Sequence, residues 1–180
     1  MAKPMPVMTR TILLFTAALA LGACGNTDLT ARGEVVATFS GAMSGFTFPE
    51  DTRLEAPERD ASLGLITGDC QMARVSAADG TPAWGVVIDI RRGGVVDDLG
   101  LASVTLMQRT DSDPTEGRVE AEIGVSPFQS GAGTCSLEIP YAEPDGGMVG
   151  LSGDCDLTNA AGDTATVHAQ LDIIGCAVVE

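Results

Sequence analysis

The chain has 180 residues, with 25 acidic side chains against 10 basic ones, a formal net charge of −15, one His, one Trp and five Cys. That length suits a single domain with a core of its own, and so acidic a surface repels phosphates, which argues against a nucleic-acid partner. One His and one Trp leave little material for a metal centre or an aromatic ligand platform.

At the amino terminus, Lys3 and Arg10 precede the uncharged run Thr11–Ala23 (TILLFTAALALGA). A basic region followed by an apolar stretch and small residues is the order of a secretory signal. At about 1.5 Å per residue the run is too short to cross a hydrocarbon layer of roughly 30 Å. It ends in Leu21-Gly22-Ala23-Cys24, which resembles the lipobox of bacterial lipoproteins. The resemblance is confined to this leader. It implies that the Cys24 sulfur receives a diacylglycerol, that residues 1–23 are removed, and that the new amino terminus is acylated with a chain such as palmitate. Several acyl chains, each worth about 0.8 kcal/mol per buried CH₂, anchor stably where a single chain is marginal.

In lipoproteins of double-membrane bacteria, Asp after the modified cysteine commonly retains the protein in the inner membrane. Gly25 stands there, so the resemblance implies the outer membrane, and in any host a cell-envelope location. Residues 24–32, Cys24 followed by GNTDLTAR, read as a lipidated residue and a short tether, and 33–180 as one acidic domain. Loss of residues 1–23 takes Lys3 and Arg10 with it, leaving 25 acids against 8 arginines, a net charge of −17 and no lysine.

Along the domain, apolar residues mostly alternate with period two, the signature of strands covered on one side. Candidate strands are Glu34–Phe39, Phe46–Phe48, Ser62–Ile66 and Cys70–Ser76. Next come the stripe Trp84, Val86, Ile88 and Ile90, then Leu101–Arg109, and Arg118–Val125 with Val119, Ala121, Ile123 and Val125 inward. Thr164–Ile173 points Ala165, Val167, Ala169, Leu171 and Ile173 inward, and Cys176–Val179 ends the series. Turn clusters at Ala78-Asp79-Gly80, Arg92-Gly93-Gly94, Asp111–Gly117 and Ala161-Gly162-Asp163 separate the runs. The charged, proline-bearing stretch Pro49–Asp60 lacks periodicity and reads as a solvated loop. The expected fold is all-β, an antiparallel sandwich or barrel built from hairpins, with no long amphipathic helix. Thr67–Cys70 followed by Ile88–Ile90 faintly echoes Ser152–Cys155 followed by Leu171–Ile173, as either a duplication or a convergence of hairpin chemistry.

Five cysteines are one too many for pairing, and lipid on Cys24 accounts for the odd one. In an oxidising compartment the remaining four suggest two disulfides. Between Cys135 and Cys155 lies the turn signal Pro144-Asp145-Gly146-Gly147. Folding the flanking strands about Asp145 sets Cys135 opposite Cys155, Leu137 opposite Gly153, Ile139 opposite Leu151 and Tyr141 opposite Val149. That register predicts Cys135–Cys155 and, by elimination, Cys70–Cys176. The cysteine spacings are not those of a zinc site.

Catalytic chemistry is scarce. The single His168 lies on the polar side of its strand beside Thr166 and Gln170, and no nucleophile elbow, zinc-protease, P-loop or dinucleotide motif occurs. The best oxygen cluster for a hard cation is Asp111, Asp113 and Glu116, which reads equally well as a hairpin tip. No cofactor is expected. The sequence therefore points to a lipid-anchored cell-envelope protein whose non-catalytic β domain acts as a binding, adhesion or structural module, with the membrane as one partner and another envelope protein as a candidate second. The alternatives are an envelope hydrolase with an unrecognised site, and an accessory subunit or inhibitor that acts through a sheet edge.

Overall fold

The computed structural model describes residues 29–56, 65–94 and 96–180. The expected signal segment, the lipobox-like run with Cys24 and residues 25–28 of the expected tether lie outside these, as do residues 57–64, which hold the end of the expected Pro49–Asp60 loop and most of the expected Ser62–Ile66 strand.

The described chain forms β1 (Thr30–Phe39), β2 (Ala42–Arg53), β3 (Ile66–Ser76), β4 (Pro82–Arg92), β5 (Leu101–Arg109), β6 (Arg118–Ile123), β7 (Ser126–Cys135), β8 (Glu138–Glu143), β9 (Met148–Asn159), β10 (Thr164–Ile174) and β11 (Ala177–Val179). Single 3₁₀ turns at Pro114–Glu116 and Pro144–Gly146 interrupt them. All the strands belong to one sheet, ordered β11-β3-β4-β5-β6-β7-β9-β10-β1-β2, with β8 alongside β9. The sheet curls into a half-barrel, so the fold is all-β and antiparallel-dominated, built as one curled layer rather than as two packed sheets. β11 is the exception and runs parallel to β3.

Curling brings the two ends of the strand order together. Just past β2, the Glu55 amide donates to the Ile66 carbonyl at 3.3 Å, and the Glu55 carbonyl accepts from the Gly68 amide at 3.0 Å. The Arg92 guanidinium donates to the Gly45 carbonyl at 2.8 Å and lies over the Phe46 ring. On the same edge of the sheet the Cys70–Cys176 disulfide holds β11 against β3. The second disulfide joins Cys135 to Cys155, which face each other across β7 and β9. Both bridges are the expected ones.

Alternation decides what lies inside. In β10, Ala165, Val167, Ala169, Leu171 and Ile173 are buried while Thr164, Thr166, His168, Gln170 and Asp172 are exposed. Val119, Ala121 and Ile123 of β6 join them in one core with Phe46, Phe48, Ile88, Leu106 and Phe128. Apolar inside and charged outside is the reverse of a bilayer-spanning barrel, whose outer face is apolar. Among the described residues, no helix is long and apolar enough to cross a membrane.

Several expectations need correction. Pro49–Arg53 belong to β2 rather than to a loop, because Arg53 and Thr52 pair with Thr30 and Ala31, and Leu54 beyond them is buried. Thr30–Arg32 are already in β1, so the last three residues of the expected 24–32 tether are strand. Val125 does not face inward: β6 stops at Ile123, Gly124 turns with φ +59°, and Val125 is left 88% exposed. The hairpin register holds from Cys135 opposite Cys155 to Glu138 opposite Ser152, then slips by one, setting Tyr141 opposite Gly150 and Ala142 opposite Val149. Pro140 lies in the slip and has no N–H to give the ladder. The echo between the two cysteine hairpins is not a structural repeat, since Cys70 faces Ile88 whereas Cys155 faces Val167, four residues short of Leu171.

Candidate functional site

The densest polar constellation is on the outer face of β9 and β10. The turn at Ala161-Gly162-Asp163 is fixed by Asn159, whose Oδ1 accepts from the Ala161 and Asp163 amides. That turn sets the register in which His168 faces Asp154 and Thr166 faces Asp156. His168 Nδ1 lies 2.9 Å from Asp154 Oδ1, and Thr166 Oγ1 donates to Asp156 Oδ1 at 3.2 Å. Ser136 is close by, but its hydroxyl bonds the backbone of Asp154 rather than the imidazole. A carboxylate and a His are thus assembled without a nucleophile poised on the ring, and both side chains are about half exposed to water (47% and 61%). Such a pair can exchange protons or accept a hydrogen-bonding ligand, but it lacks the water-excluded setting that acid–base catalysis gains from.

Farther along this face Tyr141 donates to Asp172 Oδ1 at 2.8 Å. Its pKa is pushed up to about 12, first by partial burial, then by the hydrogen bond to Asp172 and the negative charges of Asp172 and Glu143. Beyond Gln170 the face opens into a shallow groove of about 320 Å³ lined by Arg32, Glu34, Thr47, Pro49 and Gln170. A second open depression of about 400 Å³ adjoins Arg32, Glu50 and Asp51. His168 and Asp154 line neither.

The cation candidate is taken apart by its neighbours. Asp111 is gripped by Arg109, Nε to Oδ1 at 2.9 Å and Nη2 to Oδ2 at 2.8 Å, which holds its carboxyl below the ordinary value and raises the guanidinium. Asp113 caps the Pro114–Glu116 turn, accepting from the Thr115 amide at 2.9 Å and hydroxyl at 2.7 Å, and these bonds lower its pKa. Asp79 does the same for Thr81. Asp111, Asp113 and Glu116 therefore do not converge on a point; among the described residues no three His, Cys, Asp or Glu side chains do. Of the aromatic residues, Phe46, Phe48 and Phe128 are core, while Phe39 packs edge-on to Phe128 with centroids 5.1 Å apart.

Sequence reasoning placed His168 on the polar face but missed its partner. The turn at Gly162 carried that signal, because folding the chain about residue 161 pairs 168 with 154 by the same arithmetic that paired the cysteines. The Tyr141–Asp172 bond joins strands separated by β9, and nothing in local spacing announces it. Compared with protein-family models, curated proteins and solved structures, the chain has no match in any of the three.

Proposed function

We propose that this chain is a lipid-anchored cell-envelope protein whose β domain is a non-catalytic binding module. The observation that carries the proposal is the fate of the cysteines. Four of the five are locked in Cys70–Cys176 and Cys135–Cys155, and the fifth is Cys24 of the Leu21-Gly22-Ala23-Cys24 box. Two disulfides suit an oxidising compartment. The open setting of His168 and Asp154 favours binding over hydrolysis, since the pair has neither a nucleophile nor an enclosing wall. With Gly25 after the anchor, the lipid would sit in the outer membrane of a two-membrane host.

The accessory-subunit reading has the 12-residue edge strand β2 in its favour. That edge is guarded, however: Pro49 offers no N–H, Glu50 and Asp51 charge it, and Arg92 already occupies the Gly45 carbonyl. Strand addition at β2 is therefore the weaker route to a partner.

The test is metabolic labelling with palmitate in a bacterial host. The wild-type chain is expected to take up label and to lose its leader to the lipoprotein-specific peptidase. Cys24→Ser is expected to remain an unlabelled precursor. Label persisting on Cys24→Ser would sink the anchor.

A further inference from the structure

Arg32 of β1 stands at an irregularity in the sheet and has no partner there. The pairing of β1 with β2 passes from Ala31 opposite Thr52 directly to Gly33 opposite Phe48, so Arg32 alone faces Pro49, Glu50 and Asp51. Gly33 has φ +111°, and a side chain there would strike the Gln170 carbonyl, so the bulge requires glycine. The two depressions of the outer face, about 320 Å³ and about 400 Å³, flank this bulge, and Arg32 lines both. Among the described residues its exposed side chain makes no hydrogen bond or ion pair, whereas Arg91 is held by Asp89 and Arg109 by Asp111. Asp172 is paired opposite Arg32 across β1 and β10, but its carboxylate accepts from Tyr141 instead.

The groups around Arg32 select an occupant by both signs of charge. Glu34 lies in the first depression with Thr47 and Gln170, and Glu50 and Asp51 lie in the second. A ligand with only negative groups meets three carboxylates around one guanidinium, and one with only positive groups leaves the guanidinium opposed. A molecule that carries a carboxylate and an ammonium answers both. Its carboxylate takes the guanidinium fork, its ammonium turns to Glu50 and Asp51, and Thr47 and Gln170 offer neutral donors and acceptors to its remaining polar atoms. The acidity of the domain as a whole would favour any cation at any place; the selection comes from Arg32 at the junction of the two depressions. The first depression is at the small end of the roughly 300–1,000 Å³ of small-ligand sites. We propose that the Arg32 groove binds a small zwitterion, an amino acid or a short peptide with free ends. This rests on the binding-module reading and names the class of ligand that the module takes.

The experiment uses the lipid-bearing chain, ¹⁵N-labelled and held in a non-ionic detergent. NMR follows the Arg32 Nε–H and the Gly33 amide, with the Nε–H of exposed Arg74 on β3 as control. The probes are alanine, alanyl-alanine, N-acetyl-alanyl-alanine, which keeps only the carboxylate, and alanyl-alanine amide, which keeps only the ammonium. The expected result is a saturable shift of both groove signals with a free-ended probe, and binding about tenfold weaker or worse for the two blocked forms. Whichever of alanine and alanyl-alanine binds more tightly assigns the site to an amino acid or to a peptide. Arg32→Gln, read at Gly33, should weaken the free-ended probe about tenfold. Glu50→Gln combined with Asp51→Asn should bring the N-acetyl form close to the free dipeptide. Blocked and free forms binding alike, equal shifts at Arg74, or no shift at Arg32 and Gly33 would each overturn the proposal. Alanyl-alanine split to alanine with the groove shifts retained would keep the site and remove the non-catalytic reading. A chain isolated without lipid that gives the same shifts would remove the anchor and keep the site.

Discussion

Tyr141 and Asp172 lie on strands that do not touch, yet the tyrosine hydroxyl donates to the carboxylate at 2.8 Å across the whole width of β9. Gly150 makes this possible, since it faces Tyr141 on one side and Asp172 on the other and has no side chain. The aromatic ring lies over the bare backbone, and a Cβ at 150 would be 2.5 Å from Tyr141 Cε1. The one-residue slip in β8 and the only tyrosine of the chain are therefore parts of one arrangement.

Gly150→Ala should cost more than removing the hydrogen bond itself. The added methyl drives the ring off β9 and breaks the bond to Asp172, an expected loss of about 1–3 kcal/mol. Tyr141→Phe keeps the ring in place and should cost about 1 kcal/mol or less, the hydroxyl being partly solvated. Urea denaturation of both variants makes the comparison. Gly150→Ala as stable as wild type would mean that the ring does not rest there.

Because Tyr141 is the only tyrosine, phenolate absorbance reports this one group. Its pKa is raised from 10.0 to about 12, with burial the leading cause and Asp172 the next. The fold favours the neutral phenol, so the stabilisation is complete below pH 10.0 and disappears as the pH rises through about 12. Asp172→Asn removes the charged acceptor but not the burial, so the midpoint should move down without reaching 10.0. A wild-type midpoint at the ordinary value would contradict the hydrogen bond.

The two disulfides close loops of different length, with separations of 106 residues for Cys70–Cys176 and 20 for Cys135–Cys155. In the chain-entropy model these contribute about 5 and about 3 kcal/mol respectively. Replacing Cys70 and Cys176 by Ala should therefore destabilise more than replacing Cys135 and Cys155. It should also speed amide exchange in β11, which is held to the sheet only along β3. Equal losses in urea melts, with β11 still protected, would show that the long bridge does not tether that strand.

How far the sequence could be read depended on where its information was stored. Period-two stripes with strong turn signals were legible almost residue by residue: the five inward positions of β10 and the Cys135–Cys155 pair need only alternation and a turn centre, and Cys70–Cys176 then follows by elimination. β7 was not legible, because Ser130-Gly131-Ala132-Gly133-Thr134 has no apolar alternation and the strand is held by pairing at both ends, Phe128–Ser130 and Cys135, around a slip in register. The order of strands was hidden as well. β1 docks between β10 and β2, a contact between chain ends that no local pattern encodes. Of the outer-face groups, His168 was visible and its Asp154 partner recoverable, whereas Tyr141–Asp172 required knowledge of a third strand.

Gln108 tests the part of the core that breaks the apolar rule. It continues the inward stripe of Val104 and Leu106 and is buried with them. Its Nε2 donates to the Leu137 carbonyl at 2.7 Å and more weakly to that of Asp113 at 3.3 Å, while Oε1 accepts from the Arg109 amide at 2.8 Å. One side chain thus ties β5 to the Asp113 turn and to the chain entering β8. Gln108→Leu fits the stripe better by hydrophobicity, but it strips these backbone groups of a buried partner. The expected result is a loss of about 2 kcal/mol, where burial alone would predict a gain. Amide exchange should accelerate first at Arg109, whose N–H loses its acceptor, and at Leu137, whose own bond to the Pro114 carbonyl depends on the turn staying in place. A Gln108→Leu chain more stable than wild type would show that these carbonyls and the Arg109 amide find water instead, and that the glutamine is not what joins β5 to the turn.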